Sequence, residues 1–231
     1  MTRTPPRRLY GRRKGRPLRL GQAELLEEVF PRLEIPLSQD FDPASLFPGQ
    51  MKEIWLEIGF GKGEHLCAQA SAHPDVGLLG CEPFINGFAA ALQQIEDDDL
   101  KNIRLLMDDA RKLLDVIQEA TIDRVFVLHP DPWPKRHHAK RRFFNADNLS
   151  NLAKAMKDGA ELRLATDDPA YSAWALMQIE RHPHFEWRAH QARDWQNRPS
   201  DWPMTRYGEK ALKQGRSIAF FNLWRRPRRK A

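Results

Sequence analysis

The sequence predicts a doubly wound α/β sheet, mostly parallel, with an antiparallel strand added at its C-terminal end. Three observations carry this expectation. Apolar strand-like runs alternate with segments of helical periodicity, a glycine-rich turn follows the first run, and the last two runs have no helical pattern between them.

The strand-like runs are residues 54–58 (IWLEI), 78–81, 103–107, 124–128 (RVFVL) and 161–165. Between them, residues 63–72, 84–95, 111–119 and 145–157 place apolar side chains at helical spacing, which predicts crossover helices on both faces of a parallel sheet. Residues 168–181 read as a further helix, 185–190 as a strand and 217–224 (SIAFFNLW) as a long final strand. A loop-rich insert of polar and aromatic residues separates the last two.

With 231 residues the chain has the length of one α/β domain with its own core. The expected organisation is a basic, flexible N-terminal arm over residues 1–40 and a single domain over 41–231 that ends in a basic tail. Hydrophobic residues make up 41% and charged residues 29%, which excludes a disordered or collagenous chain. No apolar run approaches the ~18 residues of a spanning helix, so no membrane partner is expected. The first 20 residues hold eight Arg or Lys and no acid, which is not a secretory pattern and favours the cytoplasm. Cys67 and Cys81 belong to no C-x-x-C motif, so neither a disulfide framework nor a metal site is expected. The sequence leaves monomer and homodimer equally open.

The distribution of charge says more than its net value of +6. Residues 1–20 and 225–231 carry thirteen cations and no acid, whereas residues 21–224 hold 24 basic against 31 acidic residues. Inside that acidic body, residues 135–142 read KRHHAKRR, five cations with two histidines. Dense basic segments on an acidic body suit a polyanion, because each cation that meets a phosphate releases condensed counterions.

Ligands of open α/β sheets bind beyond the carboxyl ends of the strands. There the sequence places Glu57 with the Gly59, Gly61, Gly63 turn, then Glu82, Asp109 with Ala110, Asp131, and Asp167. All the charged members are acidic. A dinucleotide pyrophosphate would be repelled by such a rim, and Glu64 occupies the fingerprint position of its third glycine. A cationic cofactor is the better match, and S-adenosylmethionine carries a sulfonium, an ammonium and donors that seek carboxylates. Glu82 lies 19 residues beyond Gly63, near the ~20-residue spacing of an acid that binds a ribose diol. Asp109 is placed to accept from an adenine amine, and Glu57 lies near the amino-acid moiety.

After the fourth run comes His129-Pro130-Asp131-Pro132-Trp133-Pro134-Lys135, followed by the basic segment. Three prolines fix the backbone and hold Asp131, Trp133 and Lys135 at the strand tip. Trp133 either stacks on a base or closes the pocket.

The chain resembles the bacterial tRNA (guanine-N7)-methyltransferase family. The matching stretches are LEIGFGKGEHL (56–66), GCEP (80–83), DDA (108–110), HPDPWPKRHHAKRR (129–142), ATDD (165–168) and TRYGEKALKQGR (205–216). The resemblance implies a Rossmann-like class I methyltransferase that moves a methyl group from S-adenosylmethionine to a tRNA guanosine in the variable loop. It implies cofactor contacts at Glu57, Glu82, Asp109 and Asp131, and catalysis at Asp131. It also implies substrate contacts at Lys135, Asp167 and the segment Thr205, Arg206, Tyr207, Gly208, Glu209, and RNA contacts at His137, His138, Ala139, Lys140, Arg141 and Arg142. The family pattern has a glutamate where this chain has Gly208, with Glu209 next in line. Two other readings compete: a non-catalytic RNA-binding or assembly factor on the same scaffold, and a nicotinamide-dependent dehydrogenase, which the acidic rim disfavours.

Overall fold

The computed structural model describes residues 9–38 and 40–228. Five parallel strands form the centre of a seven-stranded sheet: β1 (Glu53–Ile58), β2 (Val76–Cys81), β3 (Ile103–Leu106), β4 (Ile122–Leu128) and β5 (Met156–Thr166). The final strand β7 (Ala219–Arg225) runs antiparallel to β5, and the short β6 (Phe185–Trp187) pairs with β7 at the edge. The order β3-β2-β1-β4-β5-β7-β6 reverses direction of travel between β1 and β4, which opens a crevice at their carboxyl ends.

Helices cover both faces. On one side lie α1 (Leu20–Glu28), α2 (Phe30–Leu33), α3 (Glu64–Ala72) and α4 (Ile85–Asp97); on the other lie α5 (Ala110–Val116), α6 (Ala146–Ala155) and α7 (Pro169–Arg181). The two-residue alternation of the strands sends side chains to each layer in turn. Ile54 and Leu56 join the α5–α7 core, whereas Trp55 between them joins the α3–α4 core. A third cluster around Trp202, Ile218 and Phe220 packs α9 (Arg206–Lys213) against β5 and β7, beyond the short α8 (Arg193–Gln196).

Three elements depart from the sequence reading. No helix is predicted before residue 54, yet α1 and α2 form there and pack on α4, with Phe30 edge-on to Phe88 at 4.9 Å. The helix expected to reach residue 157 stops at Ala155, and β5 begins at once; Gly159, at φ +79°, lets the long strand bend where it passes β4. The loop-rich insert before the last strand contains α9, whose short amphipathic pattern lies between a proline-containing loop and Gly215.

The basic tail also behaves differently from a phosphate-binding surface. Arg225 donates to the Ala153 carbonyl at 3.1 Å, and Arg228 donates to the carbonyls of Lys154 (2.9 Å) and Met156 (3.1 Å). Both also pair with Asp158. The last carbonyls of a helix lack intrahelical donors, and these two arginines supply them at the end of α6. Residues 1–8 of the arm and 229–231 of the tail lie outside the described residues.

Candidate active site

The glycine turn between β1 and α3 adopts positive φ at Gly59, Gly61 and Gly63. Gly63 is fixed twice: its φ is +84°, and a Cβ there would lie 2.6 Å from Cβ of Ala91 on α4. The turn and α4 therefore meet closely beside a cavity of about 470 Å³, within the usual range for small-molecule sites. Gly59, Gly61, Glu82, Asp109, Ala110 and Asp131 line this cavity together. Glu57 and Gly63 stand behind its wall.

Glu82 is buried at the tip of β2. One carboxylate oxygen accepts from the Gly61 N–H and the other from the Phe84 N–H, each at 2.8 Å. Burial raises its pKa above the usual carboxylate value; the two backbone donors oppose that rise, while the charges of Asp131 and Glu57 add to it. Asp109 caps α5, accepting from the Arg111 N–H at 3.0 Å, and its carboxylate also takes the Arg111 guanidinium. The capping function that any acid before a helix serves is thus real at Asp109, and Arg111 shares its lone pairs. Asp131 projects from the strand tip into the cavity as an exposed residue, and partial loss of water around its carboxyl raises its pKa.

The Pro-rich loop holds strain that its prolines do not predict. His129 and Trp133, neither of them glycine, take φ of +49° and +43° at its two ends. Arg142 braces the loop from below: it is 8% exposed and donates to the carbonyls of Pro132 (2.9 Å) and Trp133 (3.2 Å). Its guanidinium also covers Trp174. The resemblance implies RNA contact at Arg142; the structure shows it buried, lining the cavity and bracing the loop with its donors. Lys135, Arg136, His137 and Lys140 are exposed around the 3₁₀ turn Arg136–Arg141, and Ala139 is half-buried there. His138 packs edge-on to Trp133.

Asp167, at the end of β5, pairs with Arg216 and lies 3.5 Å from Nδ1 of His129. Burial pulls the His129 pKa down, with Asp167 opposing. Thr205 caps α9, accepting from the Gly208 N–H at 3.2 Å, and the Arg206 N–H donates to Glu64 at 3.0 Å. Glu64 thereby ties α9 to the glycine turn. Tyr207 reaches back over the cavity and stacks against His129 at 6.3 Å. Of the substrate residues expected from sequence, only Tyr207 lines this cavity; Lys135 and Thr205 are absent from its wall, and Asp167 lines a second cavity with Trp187 and Ile218.

The arm supplies residues that sequence reading missed at this site. Leu9, Tyr10, Gly11 and Arg12 line the cavity, and the guanidinium of Arg141 lies over both the Tyr10 ring (4.6 Å) and the Trp133 ring (4.9 Å), which meet edge-on. Asn86 at the start of α4 accepts from the Gly15 N–H and donates to the Arg16 carbonyl, each at 2.7 Å. Trp133 accordingly closes the pocket wall, the second of its two expected uses. Arg12, Lys140 and Arg141 make the outer rim cationic, so the wholly acidic rim expected from sequence is confined to the inner end.

Comparison with known proteins decides among the readings of this site. Residues 51–221 match a family described as "Putative methyltransferase". The tRNA (guanine-N(7)-)-methyltransferase of Rhodospirillum rubrum is 48% identical over 97% of this chain and 90% of its own length. That of Zymomonas mobilis is 47% identical over 95% and 94%. The chain belongs to the tRNA (guanine-N7)-methyltransferase family. Among solved structures, the 16S rRNA methyltransferase KamB superposes with a TM-score of 0.55 at 12% identity, covering 82% of this chain and 96% of its own, which supports the fold alone.

Against the pattern of this family, Gly208 is the clearest departure. It is buried in the first turn of α9, and a Cβ there would lie 2.8 Å from the Met204 sulfur. Glu209 points outward and pairs with Lys213, so it does not occupy the space a side chain at 208 would fill.

Proposed function

We infer that this chain transfers a methyl group from S-adenosylmethionine to N7 of a guanosine in tRNA. The observation that carries this reading is the convergence of Glu82, Asp109 and Asp131 on one cavity whose outer rim is lined by Arg12, Lys140 and Arg141. An acidic interior suits a cationic donor and a basic mouth suits a phosphate backbone. The residues fit that donor: an ionised carboxylate has about four lone-pair sites, and the backbone amides use two of those on Glu82.

Bound S-adenosylmethionine supplies the methyl group as an electrophile. Glu82 would hold its ribose diol, Asp109 with Ala110 its adenine, and Glu57 its amino-acid end. Guanine N7 has a free lone pair at neutral pH, so no residue needs to remove a proton before attack. The protein's task is alignment, which can supply as much as ~7–11 kcal/mol of a barrier. Asp131 is our catalytic residue: its carboxylate accepts from the guanine Watson–Crick edge and faces the positive charge that grows on the purine. Preorganised charge of this kind contributes ~2.7–4 kcal/mol in comparable sites. Lys135, Arg136 and Lys140 hold phosphates, and Asp167 with the Thr205 segment borders the nucleotide. Within tRNA we propose the variable-loop guanosine 46, on the family resemblance.

Incubation with labelled methyl donor and unmodified tRNA tests the reading. Label appearing at guanine N7 supports it; tight cofactor and tRNA binding without transfer favours the non-catalytic alternative.

A further inference from the structure

Behind the glycine turn a buried polar chain runs from Glu57 through His65 and Gln69 to Asp201. Glu57 on β1 is 3% exposed and His65 on α3 is 2% exposed, with His65 Nδ1 at 2.7 Å from the Glu57 carboxylate. Phe126 packs edge-on against the imidazole at 4.6 Å. On the other side of the ring, Gln69 Nε2 lies 2.7 Å from the Asp201 carbonyl and 3.4 Å from His65 Nε2. Asp201 is itself anchored, its carboxylate pairing with Arg163 at 2.7 Å.

The direction of every proton in this chain follows from its end. A carbonyl only accepts, so the Gln69 atom facing Asp201 is the amide nitrogen. That nitrogen only donates, so His65 Nε2 opposite it is a bare acceptor. The ring hydrogen therefore sits on Nδ1 and is donated to Glu57. An imidazolium would aim a second N–H at the Gln69 amide, donor against donor, leaving a buried donor unsatisfied.

We propose that His65, with its tautomer set by Gln69, is a positioning residue that fixes the Glu57 carboxylate while staying neutral, so the negative charge of Glu57 remains whole for a cationic donor. This rests on the reading of Glu57 as a cofactor contact. A carboxylate paired with an imidazolium would be a neutral pair; one held by a neutral imidazole keeps its charge and loses only its freedom. The same carboxylate helps raise the pKa of Glu82, so its charge is felt across the turn. The chain also links the insert preceding α9 to the cofactor end, through the Asp201 carbonyl.

Two measurements on the full-length protein test this. Nitrogen-15 NMR of the ligand-free wild type at pH 7 should show His65 as the neutral Nδ1–H tautomer; an imidazolium or the Nε2–H form overturns the proposal without any variant. Calorimetric titration of S-adenosylmethionine should show at least fivefold weaker binding in His65→Leu, with most of the loss recovered in His65→Asn, whose amide nitrogen donates from near the Nδ1 position. Glu57→Gln/His65→Leu should bind no more weakly than Glu57→Gln, because His65 acts only through Glu57. Additive losses, or a Glu57→Gln defect with His65→Leu unaffected, overturn the positioning role alone. Unchanged binding in Glu57→Gln instead overturns the assignment of Glu57 to the cofactor.

Discussion

Replacing Glu82 by Gln probes the interior of the cavity with almost no change of shape. The wild-type carboxylate takes one backbone N–H on each oxygen, from Gly61 and from Phe84. Glutamine keeps one acceptor and turns a second donor toward the other N–H, while removing the charge that a ribose diol would meet. A hydrogen bond to a charged group contributes ~1.5–3 kcal/mol, so the dissociation constant of S-adenosylmethionine should rise roughly 10- to 150-fold. Because S-adenosylhomocysteine carries the same ribose, its affinity should fall by a similar factor in calorimetric titration. The pH dependence supplies a second readout. Burial raises the Glu82 pKa, so its charge costs stability as pH rises from the ordinary value of about 4.3 to the folded one. Donor affinity runs the opposite way and is lost as pH falls through the raised pKa, beginning above the usual carboxylate range; Glu82→Gln should flatten that loss. A change below twofold in a folded variant would refute the assignment of Glu82 to the donor.

Asp131→Ala should lose turnover far more than tRNA affinity, measured as kcat against Kd; equal losses would make Asp131 an RNA contact. Arg142→Met should destabilise the fold, because two loop carbonyls lose their donors, at about 1–3 kcal/mol for a group left unsatisfied. Denaturant unfolding measures this, and a midpoint unchanged from wild type would show the brace to be dispensable. Neutralising Lys135, Arg136 and Lys140 together should reduce the salt dependence of tRNA binding by roughly 0.7–0.9 in the logarithmic slope for each phosphate contact removed. An unchanged slope would place the RNA elsewhere. Arg228→Ala should lower thermal stability by uncapping α6 and leave tRNA affinity intact, whereas a matching loss of affinity would restore the tail to the RNA surface.

The sheet was legible because its strands are short, apolar and separated by helical periodicity, and because the insert between residues 185–187 and 219–225 shows too little helical pattern for a parallel crossover, although α8 and α9 lie within it. The inner acids were legible for a different reason: parallel strands put their carboxyl ends on one edge of the sheet, so Glu82, Asp109 and Asp131 line one cavity whatever their separation in sequence. What the sequence withheld depends on tertiary partners. Arg142, Arg225 and Arg228 read as surface cations, and only packing shows that helix ends and loop carbonyls absorb them. His65 was one letter of the glycine-turn motif; its role depends on Asp201, 136 positions away, which no local pattern reports. The arm at Tyr10 and Arg12 read as a charge run, because nothing in its spacing shows that Asn86 and Trp133 receive it.

The central claim is that an acidic cavity presents a methyl cation donor to guanine N7 while outer cations hold the tRNA. Chemical mapping of unmodified tRNA after reaction with the purified protein and labelled donor tests it most directly, since cleavage selective for 7-methylguanosine reports the atom modified. The account predicts one cleavage site per tRNA, lost in Asp131→Ala. Label on another base or atom, or cleavage that persists in that variant, would contradict it.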